Sequence, residues 1–238
     1  MSLTKRIRKC EGHTEHLLDL FLRTKEVYAF LEPMLFDQNV VSAFGAGHKV
    51  VGFETIRYSL FYTCVQNLAK IKSDNDDHSP SIKGIMSALE DDCLRAHLRE
   101  KYSIWYIQID HHSEDIQKQI RMTEPDKEQE RRNQFDEIYI KLLGTWNSLQ
   151  ESAAFNAFKI IRDKLTAHSQ LKLVGDEYKL TDLGELGLKW GDLKATLQEV
   201  QVIVDSLNLL VRNTSFDFSG KERQLQKSSL AFWNVDRG

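Results

Sequence analysis

Apolar residues recur at helical spacing over long, almost uninterrupted stretches, and this pattern most constrains the fold. Residues 4–31 carry Ile7, Cys10, Leu17, Phe21, Tyr28 and Leu31 at steps of three, four or seven, with one polar interruption at Thr14. Residues 49–72 carry Phe53, Ile56, Leu60, Cys64, Leu68 and Ile71, widened by Phe61 and Val65. A strand pattern would alternate with period two, and these stretches do not. Only 3 prolines and 12 glycines punctuate the 238 residues, so little interrupts a helix once begun. The expected fold class is all-α: one domain over residues 1–238, an antiparallel bundle of about four to five main helices with shorter ones appended.

The first helix should end at Pro33 and the polar run Asp37-Gln38-Asn39. Residues 40–48 are ambiguous, with a turn suggested at Gly45-Ala46-Gly47. After a polar loop over residues 73–78, Ser79-Pro80 reads as an N-cap with proline at the first helical position. Ile82, Ile85, Met86 and Leu89 then share one face, and Leu94, Leu98, Tyr102, Trp105 and Ile109 another. Residues 111–134 are charged and poor in apolar residues, which suits an exposed helical arm or a mobile connection. Within them Thr123 and Asp126 resemble a capping pair with Pro125 in the first turn. Phe135, Ile138, Leu142, Trp146 and Leu149 resume the pattern, and Gly144 is a candidate kink. Ser148 and Glu151 fit a capping box, leaving open whether one kinked helix or two helices follow. Residues 171–180 form either a hairpin around Gly175-Asp176 or a loop. Glycines 184, 187 and 191 break the chain before a last strong helix over residues 193–212, which Asp192 can cap. The tail is mixed, and Phe232-Trp233 should dock on the bundle.

Composition excludes several classes. A net charge of −3 and a pI near 6.3 do not suit a globally basic nucleic-acid binder, although a local basic groove fits. Short basic clusters occur at Lys5, Arg6, Arg8 and Lys9 and at Lys221, Arg223 and Lys227; they read first as solvated faces. Cys10, Cys64 and Cys93 are odd in number and have no Cys-x-x-Cys spacing, which argues against a disulfide framework. No apolar run reaches membrane-spanning length, and the basic N-terminus is not followed by the apolar core of a signal peptide. No membrane association and a cytoplasmic location are therefore expected. Cys10, His13 and His16 are spaced by three, but no fourth ligand is evident, so no metal or other cofactor is expected. Phosphate loops, Rossmann glycines and nucleophile elbows are missing from the sequence.

The chemistry concentrates at Phe158-Lys-Ile-Ile-Arg-Asp-Lys-Leu-Thr-Ala-His168. Ala154, Phe158, Ile161 and Leu165 lie on one stripe, which must pack against something. Arg162 and His168 project to either side of it, each roughly 60° from its centre. A cation and an imidazole thus flank a helix–helix seam. If that seam is a two-fold contact, two such pairs line one groove.

The run Arg162-Asp-Lys-x-x-Ala-His168-Ser169 resembles the Arg-x4–6-His motif of HEPN domains, and most closely the abortive-infection, AbiU-like branch of that superfamily. A homodimer whose seam involves the helix carrying Arg162 and His168 is expected. The resemblance implies a metal-independent endoribonuclease, in which a ribose 2′-hydroxyl attacks the adjacent phosphate. It implies His168 as general acid or base, Arg162 on the scissile phosphate and Asp163 as an orienting group. Lys164, one turn before His168, could touch RNA phosphate. It equally admits a non-catalytic module that binds RNA, a nucleotide, an antitoxin or a nucleotidyltransferase partner. The same residues also have an ordinary reading, because a histidine near a helix C-terminus is favoured by the helix dipole alone.

Overall fold

A computed structural model describes residues 1–73, 79–104, 114–162, 171–174, 177–180 and 188–234. It is an all-α helical bundle carrying one small antiparallel hairpin. The helices are α1 (Leu3–Phe36), α2 (Gln38–Phe44), α3 (Val50–Lys72), α4 (Ile82–Leu89), α5 (Asp92–Ser103), α6 (Glu114–Glu151), α7 (Ala153–Ile161), α8 (Trp190–Leu207) and α9 (Phe218–Phe232). Strands β1 (Leu171–Val174) and β2 (Glu177–Leu180) pair with Leu171 opposite Leu180 and Val174 opposite Glu177. The ambiguous segment is therefore a hairpin and not a loop. Trp105, Ile109, Gly175, Asp176, Gly184 and Gly187 lie outside the described residues.

α1 is the central element. Cys10, Thr14, Leu17, Phe21, Thr24, Tyr28, Leu31 and Met34 are buried along it, and it packs most extensively on α3. Its polar interruptions are satisfied internally: the Thr14 hydroxyl donates to Cys10 O at 2.9 Å, and Thr24 to Leu20 O at 2.7 Å. A threonine bonded this way sits in a core with no orphaned hydroxyl.

Pro33 does not end α1, as the sequence suggests; the helix runs on to Phe36. A mid-helix proline leaves the carbonyl four residues earlier without its donor. Here that carbonyl belongs to Ala29, and the Ser229 hydroxyl of α9 donates to it at 2.6 Å. One residue on, the Trp233 indole N–H donates to Phe30 O at 3.0 Å. The docked C-terminal helix thus replaces the donor that the proline removes. Trp233 packs edge-on against Phe44 and Phe53 in a satellite cluster with Met34 and Val40. The expected docking of the tail holds for Trp233, whereas Phe232 is exposed.

From Glu114 on, the charged segment takes the helical of its two readings. Residues from Glu114 onward belong to one continuous 38-residue helix that passes through Pro125, so Thr123 and Asp126 do not begin a new one. Ion pairs and a hydrogen bond to a carbonyl fix it to α5 beside the edge contact of Tyr102 with Phe135. Arg99 grips Asp136 through Nε and NH2 at 2.8–3.0 Å, Arg132 reaches Glu100 at 2.9 Å, and Arg131 donates to Ser103 O at 2.5 Å. The ion pairs among these are half-exposed and screened by solvent, so each contributes little. Gly144 lies within the uninterrupted helix.

The break after α6 comes at Ser152, not at Ser148. Its hydroxyl accepts the Phe155 N–H and caps α7, so the motif segment is a helix of its own. On α3 the buried stripe is turned toward Phe61 and Val65, leaving Ile56 exposed. Ser81, not Ser79, caps α4. The last strong helix starts at Trp190, with Asp192 accepting the Lys189 N–H from within the first turn. It closes in a π-helical turn, Asn208–Arg212, ended by Asn213 in the left-handed region at φ 54°.

Candidate functional site

α7 carries the motif to its last helical residue, and its sequence explains how firmly it is held. Phe155, Ala157, Phe158 and Ile161 are buried, and Phe155, Phe158 and Ile161 join the main core with residues of α1, α3, α6 and α8. The helix packs on α3, α6 and α8 of the same chain. As far as Ile161, then, the stripe is filled from within the chain and is not left to seek a second copy. Phe155 and Ala157 belong to it, while Ala154 is only half-buried. A contact between two copies through α7 has to use its outward face.

Arg162 is the C-cap residue of α7 and is half-buried. Seven residues after Phe155, it lies about 20° from that ring's position around the helix, at the boundary between the buried and open faces. Lys159 lies on the open side of the same boundary, about 60° from Arg162 and less than one turn before it. Asp163, Lys164 and His168, together with Leu165, lie outside the described residues. Of the predicted site, the structure therefore places only Arg162.

It also brings up a group that the sequence reading does not single out. Lys72, in the last turn of α3, donates to Asn156 Oδ1 at 2.9 Å, and its ammonium sits 4.5 Å from the Phe155 ring centroid. Burial, the larger cause, and the neighbouring Lys159 ammonium both pull the Lys72 pKa below its ordinary value. Lys72 stands on a different helix from Lys159 and bears no periodic relation to it, so only the packing of α3 on α7 brings it here. Lys159, by contrast, is findable from sequence, three residues before Arg162 on one helix edge.

The other sequence candidates do not form a centre. Cys10 is buried, and desolvation, with a smaller push from Glu11, raises its thiol pKa to about 12. Among the described residues no group of three or more His, Cys, Asp or Glu side chains could hold a metal ion. In the N-terminal basic run, Arg6 pairs with Asp91 at 2.8 Å. In the C-terminal run, Lys221 pairs with Glu26 at 2.7 Å. No helix among the described residues is long and apolar enough to cross a membrane.

A helical bundle with a motif arginine at the end of an anchored internal helix fits the class of HEPN domains. The family model HEPN_AbiU2, described as AbiU2, matches residues 7–232, and the chain belongs to that family. The match runs from α1 to the last residue of α9. No curated protein and no solved structure matches the chain.

Proposed function

We propose that this chain is a metal-independent endoribonuclease of the abortive-infection or toxin type. The observation that supports it best is the placement of Arg162. It stands at the edge of the core, at the exit of a helix fixed by three buried apolar side chains, in a chain of the AbiU2 family. A guanidinium held there presents forked donors to a phosphate without having to fill the core.

In this reading the ribose 2′-oxygen attacks the adjacent phosphorus and the 5′-oxygen of the next nucleotide leaves. The products are a 2′,3′-cyclic phosphate and a free 5′-hydroxyl. His168 takes the proton from the 2′-hydroxyl or delivers one to the leaving oxygen, a task suited to an imidazole near neutral pH. Arg162 offsets the charge that develops on the phosphate oxygens. Asp163 orients one of the two, and Lys164 adds a contact to the RNA backbone. Two copies facing each other would place two such sites in one groove.

The test is incubation of the purified chain with a mixed RNA pool in EDTA, beside Arg162→Ala and His168→Ala. Cyclic-phosphate ends from the wild type alone are the expected outcome. Cleavage that persists in His168→Ala removes that residue from the mechanism. A folded wild type that leaves RNA intact argues instead for a module that binds RNA, a nucleotide, an antitoxin or a nucleotidyltransferase without cutting.

A further inference from the structure

The edge of α7 that carries Arg162 is basic beyond the motif. Lys159 is exposed on it, and Lys72 reaches it from α3, held by Asn156 and by the face of Phe155. α7 contains no acidic residue, and α3 contains none after Glu54. Neither Lys72 nor Lys159 makes an ion pair among the described residues. Four other lysines are matched by carboxylates, Lys25 by Glu222, Lys101 by Glu11, Lys194 by Glu32, and Lys221 by Glu26, whereas Lys49 lies over the Phe44 ring. An ammonium held over Phe155 and a second one a turn further along the same edge, with no carboxylate partner among the described residues, gain most from an anion that bridges them.

We propose that Lys72 and Lys159 together bind a backbone phosphate of the RNA, beside the phosphate that Arg162 meets. This rests on the nuclease-site reading above and extends it from the motif helix to α3. Lys72 is the positioning half of the pair. Its ammonium is held by a hydrogen bond and a ring contact, so it is placed before RNA arrives. Lys159 is the exposed half, which closes on the phosphate from the open face of α7. The contact is to phosphate and carries no sequence preference of its own, so it sets where the strand lies along α7.

The probe is a fluorescent single-stranded RNA oligonucleotide with 2′-O-methyl riboses, which cannot be cut by 2′-attack. Binding to the whole chain is followed by anisotropy across a salt series. Each lost phosphate contact lowers the slope of log affinity against log salt by about 0.7 for a single strand. Lys159→Gln and Lys72→Gln should each lose part of this, the double variant should lose about 0.7 because the two lysines share one phosphate, and Lys72→Arg should retain the wild-type slope. Lys159→Gln guards against misfolding, since Lys159 is exposed. An unchanged slope in a natively folded double variant overturns the proposal. If His168→Ala still abolishes cleavage in that case, the nuclease reading survives without it. A lysine-dependent slope in a chain that never cuts RNA keeps the phosphate grip and removes the nuclease. Failure of the wild type to bind at low salt removes both.

Discussion

The carbonyl of Ala29 offers a test of how α9 is coupled to α1. Pro33 has no N–H to give it, and the hydroxyl of Ser229, a residue only 2% exposed, donates to it at 2.6 Å. Ser229→Ala leaves a part-buried carbonyl without its donor. Such a loss costs about 1–3 kcal/mol, compared with about 0.5–1.5 kcal/mol for a hydrogen bond whose acceptor keeps another donor. Pro33→Ala restores a main-chain N–H aimed at the same oxygen. In that background Ser229→Ala should therefore cost about 1 kcal/mol less than in the wild type. Urea denaturation of the wild type, the two single variants and the double variant measures the coupling. For a chain of this length each kcal/mol also moves the thermal midpoint by about 2–4 °C. Additivity within about 0.5 kcal/mol would refute the idea that the serine replaces the donor missing at the proline.

Two further predictions concern titration and thiol chemistry. The Asp217 carboxylate caps α9, accepting the Gly220 N–H at 2.9 Å and the Ser219 hydroxyl at 2.7 Å, and its pKa is held below the ordinary value chiefly by the Gly220 bond. A carboxyl depressed on folding adds stability above its unfolded pKa, and that share is lost as pH falls through the folded value. Asp217→Asn should therefore flatten the acid limb of stability against pH, and an unchanged limb in a series of thermal melts from neutral to acid pH would exclude the cap as its source. Cys64 is buried, with its thiol pushed up to about 12 by desolvation, and Cys10 is held similarly, while Cys93 is exposed. Alkylation of the native chain at mildly alkaline pH should modify Cys93 alone, and mass spectrometry showing equal labelling of all three would contradict the packing of α1 on α3.

The helices that bury a stripe were legible because burial leaves a period in the sequence. α1, α3, α4 and α8 follow from spacing alone to within a few residues, and so does the all-α class. The HEPN resemblance was legible in the single run from Arg162 to His168, and the family match over residues 7–232 bears it out. Over residues 114–134 a helical arm and a connection both stayed open, because Arg131 and Arg132 hold that part of α6 through a carbonyl and a carboxylate. Ion pairs of that kind impose no apolar period. α9 was hidden for a related reason: among its 15 residues only Phe218, Leu225 and Ser229 are buried.

The helical class, the core stripes and the short motif that marks a candidate site come from the amino-acid order alone. Tertiary structure decided three things. It let α1 run through Pro33, because a serine 200 residues further along than Ala29 supplies the missing donor. It assigned the apolar stripe of α7 to the chain's own core, because α3, α6 and α8 already fill it. It brought Lys72 to the edge that carries Lys159 and Arg162. The physical reason is common to all three: each is a contact between separate helices, and local periodicity records only that a face is buried, not what buries it.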